Sequence, residues 1–144
     1  MTFEEVEKTL PNGFHDAKIV QITLDYPAGT LLMTMQILVG VGQATEYGPA
    51  ELRANGLYFC FIDPPDPTYP FKPNGKGLRV CGDQEPRESP VIGDLLHELP
   101  EGVSVYRFYA DRWNSFIHVA ATDIQISWDK NPRFSKADEG PVNS

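Results

Sequence analysis

The sequence has little of what secreted and membrane proteins depend on. It contains two cysteines, Cys60 and Cys81, and neither has another cysteine or a histidine at the spacing of a zinc motif. The longest apolar stretch, residues 31–42, is interrupted by Thr34 and Gln36 and falls short of the roughly 18 residues of a membrane-spanning helix. The first eight residues include three glutamates, whereas a signal peptide begins with positive charge. We therefore expect a cytoplasmic protein with both thiols buried and reduced.

Basic charge is also scarce. The 12 lysines and arginines are outnumbered by 20 aspartates and glutamates, which gives a formal net charge of -8. Such a chain is repelled by phosphate backbones and by anionic lipid surfaces, so we expect neither nucleic acid nor a membrane as a partner. An acidic exterior would instead steer a basic protein toward the domain.

The usual signatures of catalysis are missing from the chain. It has no P-loop, no H-E-x-x-H, no G-x-S-x-G and no C-x-x-C motif. Gly75-Lys76-Gly77 begins like a dinucleotide fingerprint, but Val80 stands where the third glycine is required. We therefore expect no cofactor, and a binding protein in preference to an enzyme.

What the sequence does contain is a repeated alternation of apolar and polar residues, which predicts β-strands. The clearest strand covers residues 31–41, and Pro27-Ala28-Gly29 predicts a tight turn that joins it to the strand before. Broken alternation near Val20 predicts a β-bulge. The predicted strands span residues 14–26, 31–41, 50–62, 78–81, 103–109, 116–121 and 124–128.

Helical patterns are short and few. Thr2 and Glu5 have the spacing of a capping box and predict a helix over residues 2–9. Ser89-Pro90 and the apolar residues that follow predict a second helix over residues 90–98. The fold class is therefore mainly β, an antiparallel sandwich or partly open barrel of about six to eight strands with one or two short helices.

One domain accounts for the whole pattern. We expect it to span residues 1–130, and we expect the polar, aperiodic residues 131–144 to form a flexible tail. The alternation also predicts a single continuous core, which includes Met33, Met35, Ile37, Leu57, Phe59, Ile124 and Ile126.

Two histidines are candidates for chemistry. His15 adjoins Asp16, but adjacent residues of a strand point to opposite faces, so a turn-stabilising role is favoured for this pair. His118 shares a face with Phe116 and Ala120, which favours a satisfied core or interface histidine. Convergence of His15 and His118 with Asp16, or with Asp63 or Asp66 in its place, would instead create a metal site, and the protein would then be a metal-dependent hydrolase.

Aromatic residues in two predicted loops point to recognition. Residues 111–114 form a predicted hairpin turn, yet Arg112 and Trp113 are not required by the turn itself. The proline-rich segment over residues 63–77 adds Tyr69 and Phe71. We predict a binding surface that contains these four residues, with both segments at the same end of the domain.

Two segments resemble a group of small bacterial β-domains. They are residues 10–17, which contain Phe-His-Asp-Ala, and residues 113–121, which begin Trp-Asn-Ser-Phe-Ile-His. Some proteins with a similar Phe-His-Asp-Ala start, followed by an alternating strand and a proline-turn hairpin, are immunity proteins of polymorphic toxin systems. The resemblance implies bacterial origin, it implies no catalytic residues, and it makes an enzyme less expected. A small-molecule-binding β-barrel is the alternative that the residues themselves leave open.

Overall fold

The computed structural model describes residues 1–40, 46–70, 72–73, 75–83 and 98–129. Within these residues the chain forms one α-helix and six β-strands, all of them paired antiparallel. The elements are α1 (Phe3–Lys8), β1 (Ala17–Asp25), β2 (Thr30–Leu38), β3 (Tyr47–Ile62), β4 (Leu78–Asp83), β5 (Ser104–Ala110) and β6 (Ser115–Trp128).

The strands form a closed barrel in the order β1-β2-β3-β6-β5-β4. Closure depends on a short ladder between β1 and β4, in which Ala17 pairs with Val80 and Ile19 with Leu78. Every described strand therefore has a neighbour on each side, although β1 pairs with β4 only over Ala17–Ile19. The mainly β prediction is confirmed, and the barrel is closed where the sequence suggested a partly open one.

The capping box and the first helix are confirmed. The Thr2 hydroxyl accepts from the Glu5 amide, and the Glu5 carboxylate accepts from the Thr2 amide. Phe3 is buried and stacks on Tyr106 of β5 with ring centroids 5.2 Å apart. This contact holds α1 against the barrel wall.

In the described part of the chain, no helix has the length and apolar character to cross a membrane.

β1 contains the predicted bulge, since its register with β2 shifts between Ile19 and Gln21. Ala17 and Ile19, which precede the bulge, are buried, and Ile22, which follows it, packs against the core. Val20, which begins the long apolar alternation, is 39% exposed, and Leu24 is 51% exposed. After the bulge, Ile22 pairs with Met33 and Leu24 with Leu31, so both lie on the core face of β1; Leu24 stays exposed beyond the part of β1 that pairs with β4.

The core fills the barrel interior. Met33, Met35, Ile37 and Ile124 are fully buried, as predicted, and Leu57 and Ile126 pack against them while partly exposed. Phe59 differs from the prediction, because a register shift between Leu57 and Phe59 turns its side chain away from the core cluster.

β6 is one long strand where the sequence suggested two. Ile117 and Val119 belong to the core, so Phe116 and His118, which alternate with them, point outward. The predicted helix over residues 90–98 and the predicted tail over residues 131–144 lie outside the described residues, apart from Glu98, which is in a turn.

Candidate functional site

The β5–β6 turn is a tight hairpin over residues 111–114, as predicted. The Trp113 amide donates to the Ala110 carbonyl over 3.2 Å. Asn114 has a φ of 44°, in the left-handed region that asparagine tolerates better than most residues. Its side-chain oxygen also accepts a 2.8 Å hydrogen bond from the Tyr109 hydroxyl of β5. The turn is therefore held to its own strand by side-chain contacts.

The proline-rich segment lies directly against this turn. The Asp66 amide donates to the Trp113 carbonyl over 2.8 Å, and the Asn114 side-chain amide donates to the Asp66 carboxylate over 2.8 Å. Just before it, the Asp63 amide donates to the Phe116 carbonyl over 2.9 Å. The two segments therefore share one end of the barrel, as predicted. We call residues 63–69 together with residues 111–114 the turn–loop surface.

Asp66 organises the loop half of this surface. One of its carboxylate oxygens accepts from both the amide and the hydroxyl of Thr68, over 2.9 and 2.7 Å. These bonds, with the one from Asn114, lower the pKa of the Asp66 carboxyl. The Tyr69 amide donates to the Asp66 carbonyl over 2.9 Å, which fixes the backbone at the tyrosine. Asp66 therefore stays ionised to a lower pH than a free aspartate, and its hydrogen bonds hold the loop together.

The predicted contact residues have different exposures. Tyr69 is 41% exposed and Arg112 is exposed, whereas Trp113 is half-buried. Phe71 lies outside the described residues. Tyr69 and Arg112 are therefore available to a partner, and Trp113 combines partial exposure with packing against its surroundings.

A buried histidine lies beside this surface. His118 is 1% exposed, and its ring lies between those of Phe61 and Phe116, with centroids 5.6 and 6.0 Å away. Its Nε2 is 3.4 Å from the Asp63 carboxylate, while its Nδ1 is buried without a hydrogen-bond partner among the described residues. Burial lowers the pKa of His118, and the Asp63 charge opposes that shift only in part. The sequence predicted a histidine with both ring nitrogens hydrogen-bonded, but Nδ1 has no hydrogen-bond partner among the described residues.

His15 and Asp16 come together even though they are adjacent. β1 begins at Ala17, so this pair belongs to the preceding turn, and Asp16 has a φ of 58°. The alternation of a strand therefore does not separate them, and His15 Nε2 lies 3.4 Å from the Asp16 carboxylate. Their donor atoms cluster with the Cys81 thiol within 4.8 Å of one another. Cys81, and not His118, completes this group.

A cleft of about 860 Å³ opens between α1 and β5. Its lining includes Glu7, Asn12, His15, Ser104 and Tyr106. The Tyr106 hydroxyl donates a 2.6 Å hydrogen bond to the Glu7 carboxylate at the wall of the cleft. Two residues of its lining, Phe3 and Tyr106, also belong to the buried core.

In comparisons with known proteins, no family model, no curated protein and no solved structure matches the chain.

Proposed function

We propose that this chain is a non-enzymatic protein-binding domain whose recognition surface is the turn–loop surface. The observation that carries the proposal is the set of hydrogen bonds that joins Asp66 to Trp113 and Asn114 across 2.8 Å each. A loop held in this way has already lost the conformational freedom that binding would otherwise remove. Tyr69 and Arg112 are thereby presented on an ordered frame.

The residue types on this surface suit protein recognition. Tyrosine, tryptophan and arginine are the side chains most enriched among residues that dominate binding energies. Tyr69 and Arg112 are exposed, and the half-buried Trp113 lies between Arg112 and Asn114 in the same turn. The hydrogen-bonded carboxylate of Asp66 adds a fixed negative charge beside them.

The partner that best fits these charges is a basic protein. The net charge of -8 would speed its approach, and complementary charge at the surface would orient it. An immunity-like role in the cytoplasm of a bacterium, with a basic toxin as the partner, is the specific form of this proposal. It takes its support from the resemblance in residues 10–17 and 113–121 together with the acidic charge.

Site-specific photo-crosslinking tests the location of the surface. A photoreactive amino acid is placed at Arg112 or at Tyr69, and at Gln125 as a control that is also exposed but lies toward the far end of β6. We expect a discrete crosslinked protein from the first two positions and none from Gln125. The yield should fall as salt is raised, because the attraction is electrostatic.

The proposal fails if the three positions give the same products, or if no product forms at Arg112 and Tyr69 in lysate of the native bacterium. Once a partner is identified by mass spectrometry, Arg112→Ala should weaken its binding by at least about tenfold. Lys8→Ala, an equally simple loss of exposed positive charge on α1, should leave its binding unchanged.

The cleft between α1 and β5 favours a second candidate function, the binding of a small molecule. Its volume of about 860 Å³ is within the usual range for ligand sites, and the Tyr106–Glu7 hydrogen bond provides a polar anchor. Ligand-observed NMR with a fragment library would test it. Fragments that bind wild type but not Tyr106→Phe or Glu7→Gln would support the cleft, and a library without binders would exclude it.

A further inference from the structure

The group formed by His15, Asp16 and Cys81 arises from the pairing that closes the barrel. In the β1–β4 ladder Ala17 pairs with Val80, and the strands are antiparallel. One step further along the same register sets Asp16 opposite Cys81, where side chains of paired strands approach within about 5 Å of each other. The left-handed backbone at Asp16 then turns the chain so that His15 reaches the same place.

We propose that His15, Asp16 and Cys81 bind a zinc ion. Their nitrogen, oxygen and sulfur atoms all lie within 4.8 Å of one another. Two ligands of a tetrahedral zinc ion, each about 2.0–2.2 Å from the metal, are about 3.4 Å apart. The separation of His15 Nε2 and the Asp16 carboxylate, 3.4 Å, already equals that edge.

The donor set selects the metal. A thiolate and an imidazole favour zinc and similar transition metals, whereas magnesium and calcium require oxygen ligands. Three protein ligands leave the fourth tetrahedral position for water or for a group from a bound molecule. Since His15 also lines the cleft between α1 and β5, the ion would lie at the edge of that cleft.

Charges around the group are compatible with a cation. The positive side chain of Arg79 interacts with both Asp16 and Cys81, but its guanidinium is hydrogen-bonded to Asp111. A carboxylate and a thiolate together would neutralise a divalent ion.

The second cysteine provides a matched control. Cys60 is in β3, opposite Val119, and is half-buried like Cys81. Burial raises the pKa of the Cys60 thiol, which keeps it protonated at neutral pH. Cys60→Ser and Cys81→Ser therefore make the same chemical change at two half-buried strand positions.

The test is titration of metal-free, reduced, full-length protein with Co²⁺, a spectroscopic substitute for zinc. A thiolate ligand produces an intense near-ultraviolet charge-transfer absorption, and tetrahedral coordination produces visible bands. We expect both with one equivalent of Co²⁺, and we expect Zn²⁺ to displace them. Cys81→Ser should abolish the charge-transfer band, His15→Ala should weaken Co²⁺ binding by more than about tenfold, and Cys60→Ser should change neither.

Several results would overturn the proposal. They are the absence of a charge-transfer band in wild type, a band that survives Cys81→Ser, or a band that is lost in Cys60→Ser instead. His15 has a side chain that is 67% exposed, so His15→Ala should remain folded, and circular dichroism checks this for each variant. Protein binding at the turn–loop surface is measured separately, so either proposal can fail without the other.

Discussion

In the described residues, two histidine–aspartate pairs have the same separation and opposite surroundings. In each pair a histidine Nε2 lies 3.4 Å from a carboxylate oxygen. The His15 side chain is 67% exposed, whereas that of His118 is 1% exposed. Since the histidine–carboxylate distance is the same in both pairs, the difference in what each pair can do must come from its surroundings.

The environments differ in the neighbouring residues. His15 and Asp16 have a thiol within 4.8 Å and open solvent around them, which suits ligand exchange at an ion. His118 lies between two aromatic rings, and its second nitrogen has no hydrogen-bond partner among the described residues. A buried imidazole in such a place favours the neutral form and serves packing. The exposed pair is thus suited to chemistry, and the buried pair to stability.

Replacing each histidine with alanine should give the largest difference in the free energy of unfolding. We expect His118→Ala to lower the free energy of unfolding by about 2–4 kcal/mol, because it leaves a cavity between Phe61 and Phe116. His15→Ala should change the free energy of unfolding by less than about 0.5 kcal/mol in the presence of a chelator. Urea unfolding followed by tryptophan fluorescence measures both.

A shape-conserving variant separates packing from polarity at the buried site. His118→Phe fills most of the space and gives up one long hydrogen bond, so it should cost less stability than His118→Ala. If His118→Phe is as damaging as His118→Ala, the Asp63 contact matters more than packing. If His15→Ala and His118→Ala lower the free energy of unfolding by the same amount, the contrast between the two histidine–aspartate pairs is wrong.

A smaller effect is expected at the residue that ties the proline-rich loop to the hairpin. Asn114→Ala removes the bonds to Asp66 and Tyr109 and places alanine at a φ of 44°. We expect a loss of about 1–2 kcal/mol in the free energy of unfolding. Asn114→Gly removes the same bonds without the backbone cost, so it should be less destabilising by about 1 kcal/mol. Equal losses in the two variants would mean that the left-handed backbone carries no strain.

Local signals in the sequence predicted much of the fold. The capping box at Thr2 and Glu5, the Pro27 turn and the bulge near Val20 each depend on residues within a few positions of one another. Tertiary context decided the rest. After the bulge, Ile22 and Leu24 lie on the core face opposite Met33 and Leu31, yet Leu24 is 51% exposed where β1 no longer pairs with β4. A pattern alone identifies the apolar face of a strand but not how much of that face its neighbours cover.

The candidate sites show the same division. Residues 111–114 and the proline-rich segment were identifiable, because surplus aromatic and arginine residues in turns are a local signal. The role of Cys81 could not be identified from the sequence, since this residue reaches Asp16 only through the ladder between β1 and β4. Nothing near either residue in the sequence predicts that register. Adjacency also misled at His15 and Asp16, because the alternation rule applies to strands and β1 begins one residue later.

The smallest expected effect is the dependence of stability on pH that the buried pair introduces. The pKa of His118 in the native state is below its ordinary value of 6.5, chiefly because of burial; the Asp63 charge works against this shift and the Arg107 charge adds to it. Between 6.5 and the lower native pKa, the unfolded chain therefore holds more protons than the folded one. The stability contributed by neutral His118 is complete above pH 6.5 and is lost as pH falls toward the native pKa.

Urea unfolding from about pH 7.5 to 5.5, a range above most carboxyl pKa values, should show this loss in wild type. His118→Phe cannot take up the proton, so its free energy of unfolding should decline less over the same range. Parallel pH profiles for wild type and His118→Phe would show that His118 is protonated as readily in the folded protein as in the unfolded chain.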